Sequence, residues 1–301
     1  MATSGATSTT LANYEKGQRA ALRSVALNVC LAFIKIVSGV VGNSYALIAD
    51  GVESTLDIIS SAVIWNGMRI AAVPADDDHP YGHGKAEPLA GLVVSLSLLG
   101  GALIIAFQSV KEIVTPHHAP APFTLIVLVG VVVIKEVLFR NLSSLGHEIT
   151  SSSVKADAWH QRSDAITSAA AFIGISVALI MGRGYESADD WAALVACGVI
   201  VFNGVAMAKA SIGEVMDAAV PDEFRQKVRE IALATPGVLS LGRCLVRKSG
   251  LSYIVEMDAR VDGAITVEQG HDIATELEKR LMEGGLAIQH ISVHIEPEAG
   301  E

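Results

Sequence analysis

The chain has 301 residues, of which 51% are hydrophobic and only 18% are charged, and its mean hydropathy is +0.45. This composition excludes an ordinary soluble globular protein and favours a membrane protein. The formal net charge of −10 disfavours a nucleic-acid partner. The cysteines, Cys30, Cys197 and Cys244, are widely spaced, so they indicate neither a disulfide framework nor a thiolate zinc site.

The apolar residues are concentrated in the first two-thirds of the chain. A Ser/Thr-rich stretch over 1–18 is predicted to be a disordered N-terminal tail, and 19–212 a transmembrane transport domain of six helices. Each helix needs about 20 residues to cross a bilayer. The predicted spans are 20–41, 45–72, 87–113, 121–142, 152–182 and 188–210.

Lysine and arginine residues are concentrated at those ends of the spans that share one side of the membrane. The positive-inside rule assigns that side to the cytoplasm. An even number of spans then leaves both termini in the cytoplasm. We expect an integral protein of a bacterial inner (plasma) membrane.

The last part of the chain, 213–301, changes character and is predicted to be a small cytosolic α+β domain. An amphipathic helix begins after Pro221, and two alternating segments are joined by a turn at 248–250. A second helix over 268–283 and a last strand over 287–296 complete an αββαβ order. This order predicts a small sheet with two helices on one face.

Two apolar spans carry acids and a histidine in the same arrangement. In each, an acid is followed at +3 and at +7 by further metal-ligand side chains, and such positions lie on one face of a helix. The innermost of these residues are Glu53, Asp57, His160 and Asp164, preceded by Asp50 and Asp157.

Ionisable side chains at this depth need a partner. One Asp at the centre of a membrane helix costs roughly 2.5–3.5 kcal/mol on insertion scales. Three carboxylates and one imidazole suit a divalent metal at a four-coordinate site. Asp50 and Asp157 are candidates for supporting groups around that site, or for caps of its cavity. A buried ion-pair network is the alternative, which we disfavour because Arg162, the only nearby base, points away from the shared face.

The loop after the second span combines acids, histidines, glycines and a proline. Asp76, His79 and His83 are close enough in sequence to bind one metal ion from a tight turn. The alternative is a solvated acidic loop with incidental histidines. We predict a metal site here, at the cytoplasmic mouth of the membrane domain.

With these motifs, nearly the whole chain from about residue 15 resembles the cation diffusion facilitator family. The two sets of metal-ligand residues, Asp50, Glu53 and Asp57 on one span and Asp157, His160 and Asp164 on the other, are called here the ladders, and they resemble the family's transport site. The runs 74–87, 215–223 and 293–297 resemble its cytoplasmic loop, its domain junction and its last metal-binding strand. The resemblance implies a Y-shaped homodimer with a ferredoxin-like dimerisation domain. It also implies export of a divalent transition metal in exchange for protons.

Further site residues follow from the same resemblance. Lys85 and Asp217 match an inter-subunit charge interlock. A regulatory metal site in the cytosolic domain would use Asp258, His271, His294 and Glu296. Two positions depart from the family pattern. Glu53 replaces the usual Asp, His or Asn, and Met257 stands where many members carry a strand histidine.

Zinc is the expected cargo, with iron(II) next and manganese, cobalt or cadmium as alternatives, because a His/carboxylate set accepts zinc without geometric strain. Two other functions were weighed. An intramembrane metalloenzyme is disfavoured because the chain has no HExxH motif and no Ser/His arrangement. A metal-responsive membrane scaffold of the same fold, with transport reduced or lost, stays open because of Glu53.

Overall fold

The computed structural model describes the backbone of residues 8–41, 45–114, 124–181 and 188–298, and the side chains of most of them. The chain divides into two compact units. One comprises Glu15–Ile70 and Ala86–Ile212 and is called here the helical unit. The other comprises Met1–Tyr14, Ala71–Lys85 and Gly213–Glu301 and is called the C-terminal unit.

Six long helices form the helical unit and extend from it. They run Ser8–Val41 (α1), Tyr45–Ala71 (α2), Ala86–Val114 (α3), Thr124–Glu148 (α4), Ser152–Met181 (α5) and Ala188–Val215 (α6). The shortest of them has 25 residues, which gives about 37 Å at 1.5 Å per residue. Each is therefore long enough to cross a hydrocarbon core of about 30 Å.

Hydropathy supports a membrane location for this unit. Among the described residues, three segments are both long and apolar enough to span a bilayer, namely Thr10–Val37, Ala86–Lys111 and Cys197–Val215. Large apolar side chains such as Phe33, Phe107, Ile126, Ile180 and Phe202 are exposed on the outer surface of the helices. Lipid is the environment that such a surface requires.

The helices approach each other closely at small residues. A methyl group added at Gly67 of α2 would lie 2.4 Å from the Cβ of Ala90 on α3, and one added at Gly91 would lie 3.1 Å from the Cα of Ser153 on α5. Small residues at such crossings let helix backbones touch. Helix α5 packs against α3 and α4, so its side chains line the interior of the unit.

The C-terminal unit has the predicted αββαβ order. Helix α7 (Asp222–Leu233) precedes strands β1 (Ser240–Ser249) and β2 (Ser252–Val261), and helix α8 (Val267–Glu283) leads to β3 (Ile288–Pro297). Strand β2 is central, antiparallel to β1 and parallel to β3. The turn between β1 and β2 uses Gly250 at φ +63, a backbone conformation that favours glycine.

One apolar core holds the C-terminal unit together. Val228 and Ala232 of α7, Leu277 and Leu281 of α8 and Val255 of β2 are fully buried in it. Helix α8 is fixed at its start by a capping box, in which the Thr266 side chain and the Gln269 side chain each accept a hydrogen bond from the other's backbone N–H.

The N-terminal boundary differs from the prediction. The tail was expected to be disordered through residue 18, but α1 begins at Ser8. Thr10 and Tyr14 are buried, and the Tyr14 hydroxyl accepts a hydrogen bond from the backbone N–H of Leu251 at 3.3 Å. The prediction of disorder was wrong over 8–18. The Ser/Thr-rich composition of this stretch does not indicate that Thr10 and Tyr14 pack within the C-terminal unit.

The loop Ala71–Lys85 belongs to a different unit from the one that the sequence predicts. It was assigned to the transmembrane domain, but its residues cluster with the C-terminal unit. The contact is close: a Cβ added at Gly84 would lie 2.7 Å from the carbonyl oxygen of Ser249 at the β1–β2 turn. The division at Gly213 lies at the predicted start of the cytosolic domain.

Candidate metal centre

One face of α5 is polar although the helix is packed inside the helical unit. Asp157, His160 and Gln161 are buried, and Asp164 is partly buried. They occupy positions i, i+3, i+4 and i+7, which share a face. His160 and Asp164 therefore lie on one face of α5, as the sequence predicts, and Gln161 lies on the same face.

Lys135 of α4 meets this face. Its Nζ donates hydrogen bonds to Asp164 Oδ2 at 2.8 Å, to Gln161 Oε1 at 2.6 Å and to Asn28 Oδ1 of α1 at 2.9 Å. The Lys135 side chain is fully buried, whereas 22% of the Asp164 side chain is exposed. A buried ammonium needs such acceptors because desolvation of an uncompensated charge is costly.

Further hydrogen bonds lead from Asn28 of α1 through Ser61 of α2 back to α5. The Asn28 amide lies 3.4 Å from Ser61 Oγ of α2, and that hydroxyl donates to Asp157 Oδ1 at 3.4 Å. The Gln161 amide donates to the same carboxylate oxygen at 3.3 Å. Asp157 thus joins a buried polar network that links α1, α2, α4 and α5.

Sequence reasoning missed Lys135 and its amide partners. Within the two helices that carry the predicted ligands, Arg162 is the base nearest to them in sequence. In the structure Arg162 lies over the rings of Phe139 and Trp159, with its guanidinium carbon 4.3 Å and 5.3 Å from the ring centroids. Arg162 is therefore not the only base near the predicted ligands, because α4 supplies Lys135 from outside the two helices. A lysine flanked by Val131–Ile134 in an apolar span was the available signal.

The α2 members of the predicted site, Glu53 and Asp57, lie within the helix Tyr45–Ala71, as does Asp50. Their side chains are outside the described part of the chain. Between Glu53 and Asp57, the buried hydroxyl of Ser54 accepts a hydrogen bond from Lys35 Nζ of α1 at 2.9 Å. A second buried lysine therefore reaches α2 next to the predicted ligands.

The loop residues Asp76, His79 and His83 do come together. Their ligand atoms lie within 4.8 Å of one another, and this is the one such group of three found among the described residues. Asp76 Oδ1 accepts the backbone N–H of His79 at 2.6 Å. Its carboxylate oxygens lie 3.4 Å from His79 Nδ1 and 3.5 Å from His83 Nε2. Carboxylate and imidazole at this spacing could hold a divalent transition metal.

Hydrogen bonding favours the charged form of the loop carboxylate. The backbone N–H of His79, followed by the positive charge available on His83 and His79, lowers the pKa of Asp76 below its ordinary value. The His83 Nδ1 lies 3.3 Å from the carbonyl oxygen of Pro74, which fixes the ring orientation. An ionised carboxylate and an oriented imidazole are the states that a metal needs.

Lys85 and Asp217 also meet, within one chain. Lys85 Nζ lies 2.5 Å from Asp217 Oδ1 and donates to the carbonyl oxygen of Glu214 at 2.5 Å. Arg247, which the sequence analysis did not include, lies 2.8 Å from Asp217 Oδ2. Partial burial raises the pKa of Asp217, but the hydrogen bonds from Lys85 and Arg247 outweigh it, so the net pKa is lowered. The predicted crossing of this pair between subunits stays a prediction.

The four residues proposed for a metal site in the C-terminal domain are not gathered into one cluster among the described residues of a single chain. Asp258 lies 3.5 Å from Arg243, and Glu296 lies 3.5 Å from Arg260. His294 Nε2 is 4.0 Å from Glu296 but is largely exposed. Within one chain, each of these carboxylates therefore lies beside an arginine, and the described residues give no support to a metal held by all four residues of a single chain.

The position of Met257 shows why residue 257 does not contribute a ligand beside Asp258 and His294. The Met257 side chain is 2% exposed and belongs to the apolar core of the C-terminal unit. Alternation along β2 places Asp258 on the opposite face, across from His294 of β3. A side chain at 257 therefore packs under the sheet, away from Asp258 and its neighbours.

The fold and these clusters define a class: a helical membrane transport domain joined to a small α+β domain, with carboxylate and imidazole groups in both units. The chain belongs to the cation diffusion facilitator family. The cation efflux transmembrane domain matches residues 21–216, and the cation efflux protein cytoplasmic domain matches 220–298. The chain is thus an integral membrane transporter for efflux of divalent metal cations, with six transmembrane helices and a ferredoxin-like C-terminal domain.

Relatives span almost the whole length. The uncharacterized transporter YdbO of Bacillus subtilis is 32% identical, over 95% of this chain and 97% of its own. The manganese efflux system protein MneP of the same species is 27% identical, over 93% and 96%. The cation-efflux pump FieF of Cronobacter sakazakii is 29% identical, over 90% of each. A solved structure of the MamM CTD is 25% identical and covers 26% of this chain and 98% of that one, with a TM-score of 0.25.

Proposed function

We propose that this protein exports a divalent transition metal from the cytoplasm in exchange for protons, with zinc as the first cargo and iron(II) as the second. The transport site would be formed by Glu53 and Asp57 of α2 and by His160 and Asp164 of α5. The observation that carries the proposal is the polar face of α5, where a buried imidazole and a carboxylate lie one turn apart inside a membrane domain.

The ligand types decide the order of candidate metals. An imidazole with carboxylates suits zinc and iron(II), whereas manganese prefers oxygen ligands. Two relatives, MneP and MneS, are manganese efflux system proteins. Because three of the four proposed ligands are carboxylates, manganese is kept as an alternative cargo after zinc and iron(II). His160 is the residue that favours zinc over it.

Proton exchange follows from competition at the same ligands. Imidazole and carboxylate groups must be deprotonated before they bind a metal ion, so metal uptake releases protons and protonation releases metal. The two states would be reached by rocking of helices around a site near the membrane midplane.

The protein is further proposed to act as a homodimer, with both termini in the cytoplasm of a bacterial cell. The family's cytoplasmic domain at 220–298 supports the dimer. Asp76, His79 and His83 would hold a second metal ion in the cytoplasmic loop. The alternative function is a metal-responsive membrane scaffold. It would be favoured if the purified protein did not transport metal but still assembled in a metal-dependent way.

Flux into proteoliposomes tests the function directly. Purified protein would be offered Zn, Fe(II), Mn, Co and Cd ions with and without a proton gradient. We expect zinc uptake driven by the gradient and its loss in Asp164→Asn. Glu136→Gln is a matched control. Glu136 is also an acid within the helical unit, but its carboxylate pairs with Arg140 at 2.8 Å and not with Lys135. Wild-type flux in Asp164→Asn, or flux indifferent to the proton gradient, would contradict the site or the antiport respectively.

A further inference from the structure

The buried ammonium of Lys135 is placed against a proposed ligand of the transported metal. It lies 2.8 Å from Asp164 Oδ2, at the distance of a direct charged hydrogen bond. A metal ion that binds this carboxylate would meet a positive charge within a few ångströms. The lysine must therefore move or share the carboxylate whenever cargo binds.

The surroundings of Lys135 offer it other acceptors. An ammonium has three N–H donors, and besides Asp164 the structure supplies the amide oxygens of Gln161 at 2.6 Å and Asn28 at 2.9 Å. These two acceptors are neutral and come from different helices. They can hold the ammonium in the site after the carboxylate has turned to a metal ion.

Charge balance points the same way. The proposed ligands Glu53, Asp57 and Asp164 contribute three negative charges, and a divalent ion neutralises two of them. One positive charge is still required in a medium where an uncompensated charge is costly. Lys135, fully buried and carried by a helix next to α5, supplies a positive charge at Asp164, and the buried Lys35 brings another to α2 beside Ser54.

We propose that Lys135 is a tethered resident cation of the transport site: it binds Asp164, Gln161 and Asn28 in the metal-free state, keeps only Gln161 and Asn28 when a divalent ion takes Asp164, and binds Asp164 again as the ion leaves. Its positive charge lowers the affinity for cargo and speeds release, so it determines how strongly the site discriminates by charge and how fast it turns over. This inference rests on the proposed transport site.

The main variant is Lys135→Met, which keeps an unbranched side chain of similar length and removes the charge. Zinc affinity of detergent-purified protein would be measured by competition titration, and KM and kcat in proteoliposomes. We expect zinc to bind about tenfold more tightly or better, because a like charge has been removed from its vicinity. We expect KM to fall with it and kcat to fall by a similar factor, because no lysine returns to displace the ion.

Two further variants control for charge and for position. Lys135→Arg keeps a permanent positive charge, so its zinc affinity should stay nearer to that of the wild type than the affinity of Lys135→Met. Arg140→Met removes a cation from the exposed side of the same helix, where Arg140 pairs with Glu136, and should change neither affinity nor kcat. A purely structural lysine would instead give weaker binding in Lys135→Met, with KM raised and kcat unchanged.

Gln161→Met keeps the inference testable if Lys135→Met does not fold. This change removes one fallback acceptor, so the ammonium depends more on Asp164 and zinc should bind several-fold more weakly. Unchanged or tighter binding in Gln161→Met, or unchanged or weaker binding in a folded Lys135→Met, would overturn the inference. Asp164→Asn distinguishes the proposed transport site from the proposed role of Lys135. If this variant binds and transports zinc like the wild type, the proposal of the transport site is wrong, and not only the role of Lys135.

Discussion

The two clusters of acid and imidazole groups in this chain differ in how their carboxylates are compensated. In the helical unit, Asp164 is paired with a lysine that is itself completely buried and held by two amide oxygens. In the loop, Asp76 is exposed and accepts one backbone N–H, with two histidines close by. Water stabilises the charges of the loop, whereas the membrane cluster must carry its own countercharge.

This difference has a functional consequence. A metal ion can enter the loop cluster without displacing a permanent cation, so the loop suits stable binding. In the membrane cluster, under our proposals, cargo would compete with a tethered ammonium, which suits a site that must also release its ion. We therefore propose that the loop cluster retains its metal ion and that the membrane cluster passes it on.

The largest effect is expected from removing one member of the buried pair. Asp164→Ala leaves the Lys135 ammonium without its carboxylate and should lower the free energy of unfolding by about 3–5 kcal/mol, as for other broken buried pairs. Thermal unfolding in detergent would measure it. The double variant Asp164→Ala/Lys135→Met should recover most of the stability without recovering transport. Equal stability of Asp164→Ala and wild type would contradict the pairing.

A histidine introduced at 257 probes the C-terminal unit. Met257→His would place a polar ring in the apolar core and should destabilise the unit by about 2–3 kcal/mol. It should add no zinc-binding site, since the position packs away from Asp258 and His294. Met257→Leu is the matched apolar control and should cost less than about 1.5 kcal/mol. A new equivalent of bound zinc in Met257→His would refute this account of the core.

The loop cluster should bind metal independently of the membrane cluster. His83→Ala removes one of its three ligand groups and should reduce bound zinc by one equivalent per chain in equilibrium dialysis. Flux should fall only a few-fold, because the ladder on α5 is untouched. His290→Ala serves as a control, since His290 is exposed and contacts Tyr81 edge to face. Loss of all transport in His83→Ala would show that the loop is part of the pathway for cargo.

The smallest effect concerns acid stability. Because the pKa of Asp217 is lower in the folded protein than in the unfolded chain, its ion pairs stabilise the fold above the unfolded pKa, and this stabilisation is lost as pH falls through the folded value. Asp217→Asn should therefore reduce stability at neutral pH by up to about 1 kcal/mol, since the pair is partly exposed. Once the pH is below the lowered folded pKa of Asp217, the two proteins should unfold alike. Urea unfolding at several pH values would measure the difference, which should not widen at acid pH.

The sequence predicted the parts of this protein that repeat or alternate. Six apolar runs became six helices, and the αββαβ order of the C-terminal unit is present with its central strand. The spacing of Asp76, His79 and His83 was enough to predict that they meet, since a tight turn brings close sequence neighbours together.

The sequence could not show which helices meet. Lys135 is 29 residues from Asp164 and 107 from Asn28, and only helix packing brings the three together. Periodicity within one helix reports a face, and it does not report what lies opposite. For the same reason the sequence indicates Arg162, which is close to the ligands along the chain, and does not indicate Lys135, which is close to them in space.

Counting bound zinc tests the central claim most directly, that the ladders of α2 and α5 hold the transported ion. Equilibrium dialysis would compare the wild type, the loop variant His79→Ala/His83→Ala, and that loop variant with Asp164→Asn added. We expect two, one and no zinc ions per chain, with zinc flux present in the second protein and absent in the third. One ion per chain retained in the third protein, together with zinc flux, would contradict the account.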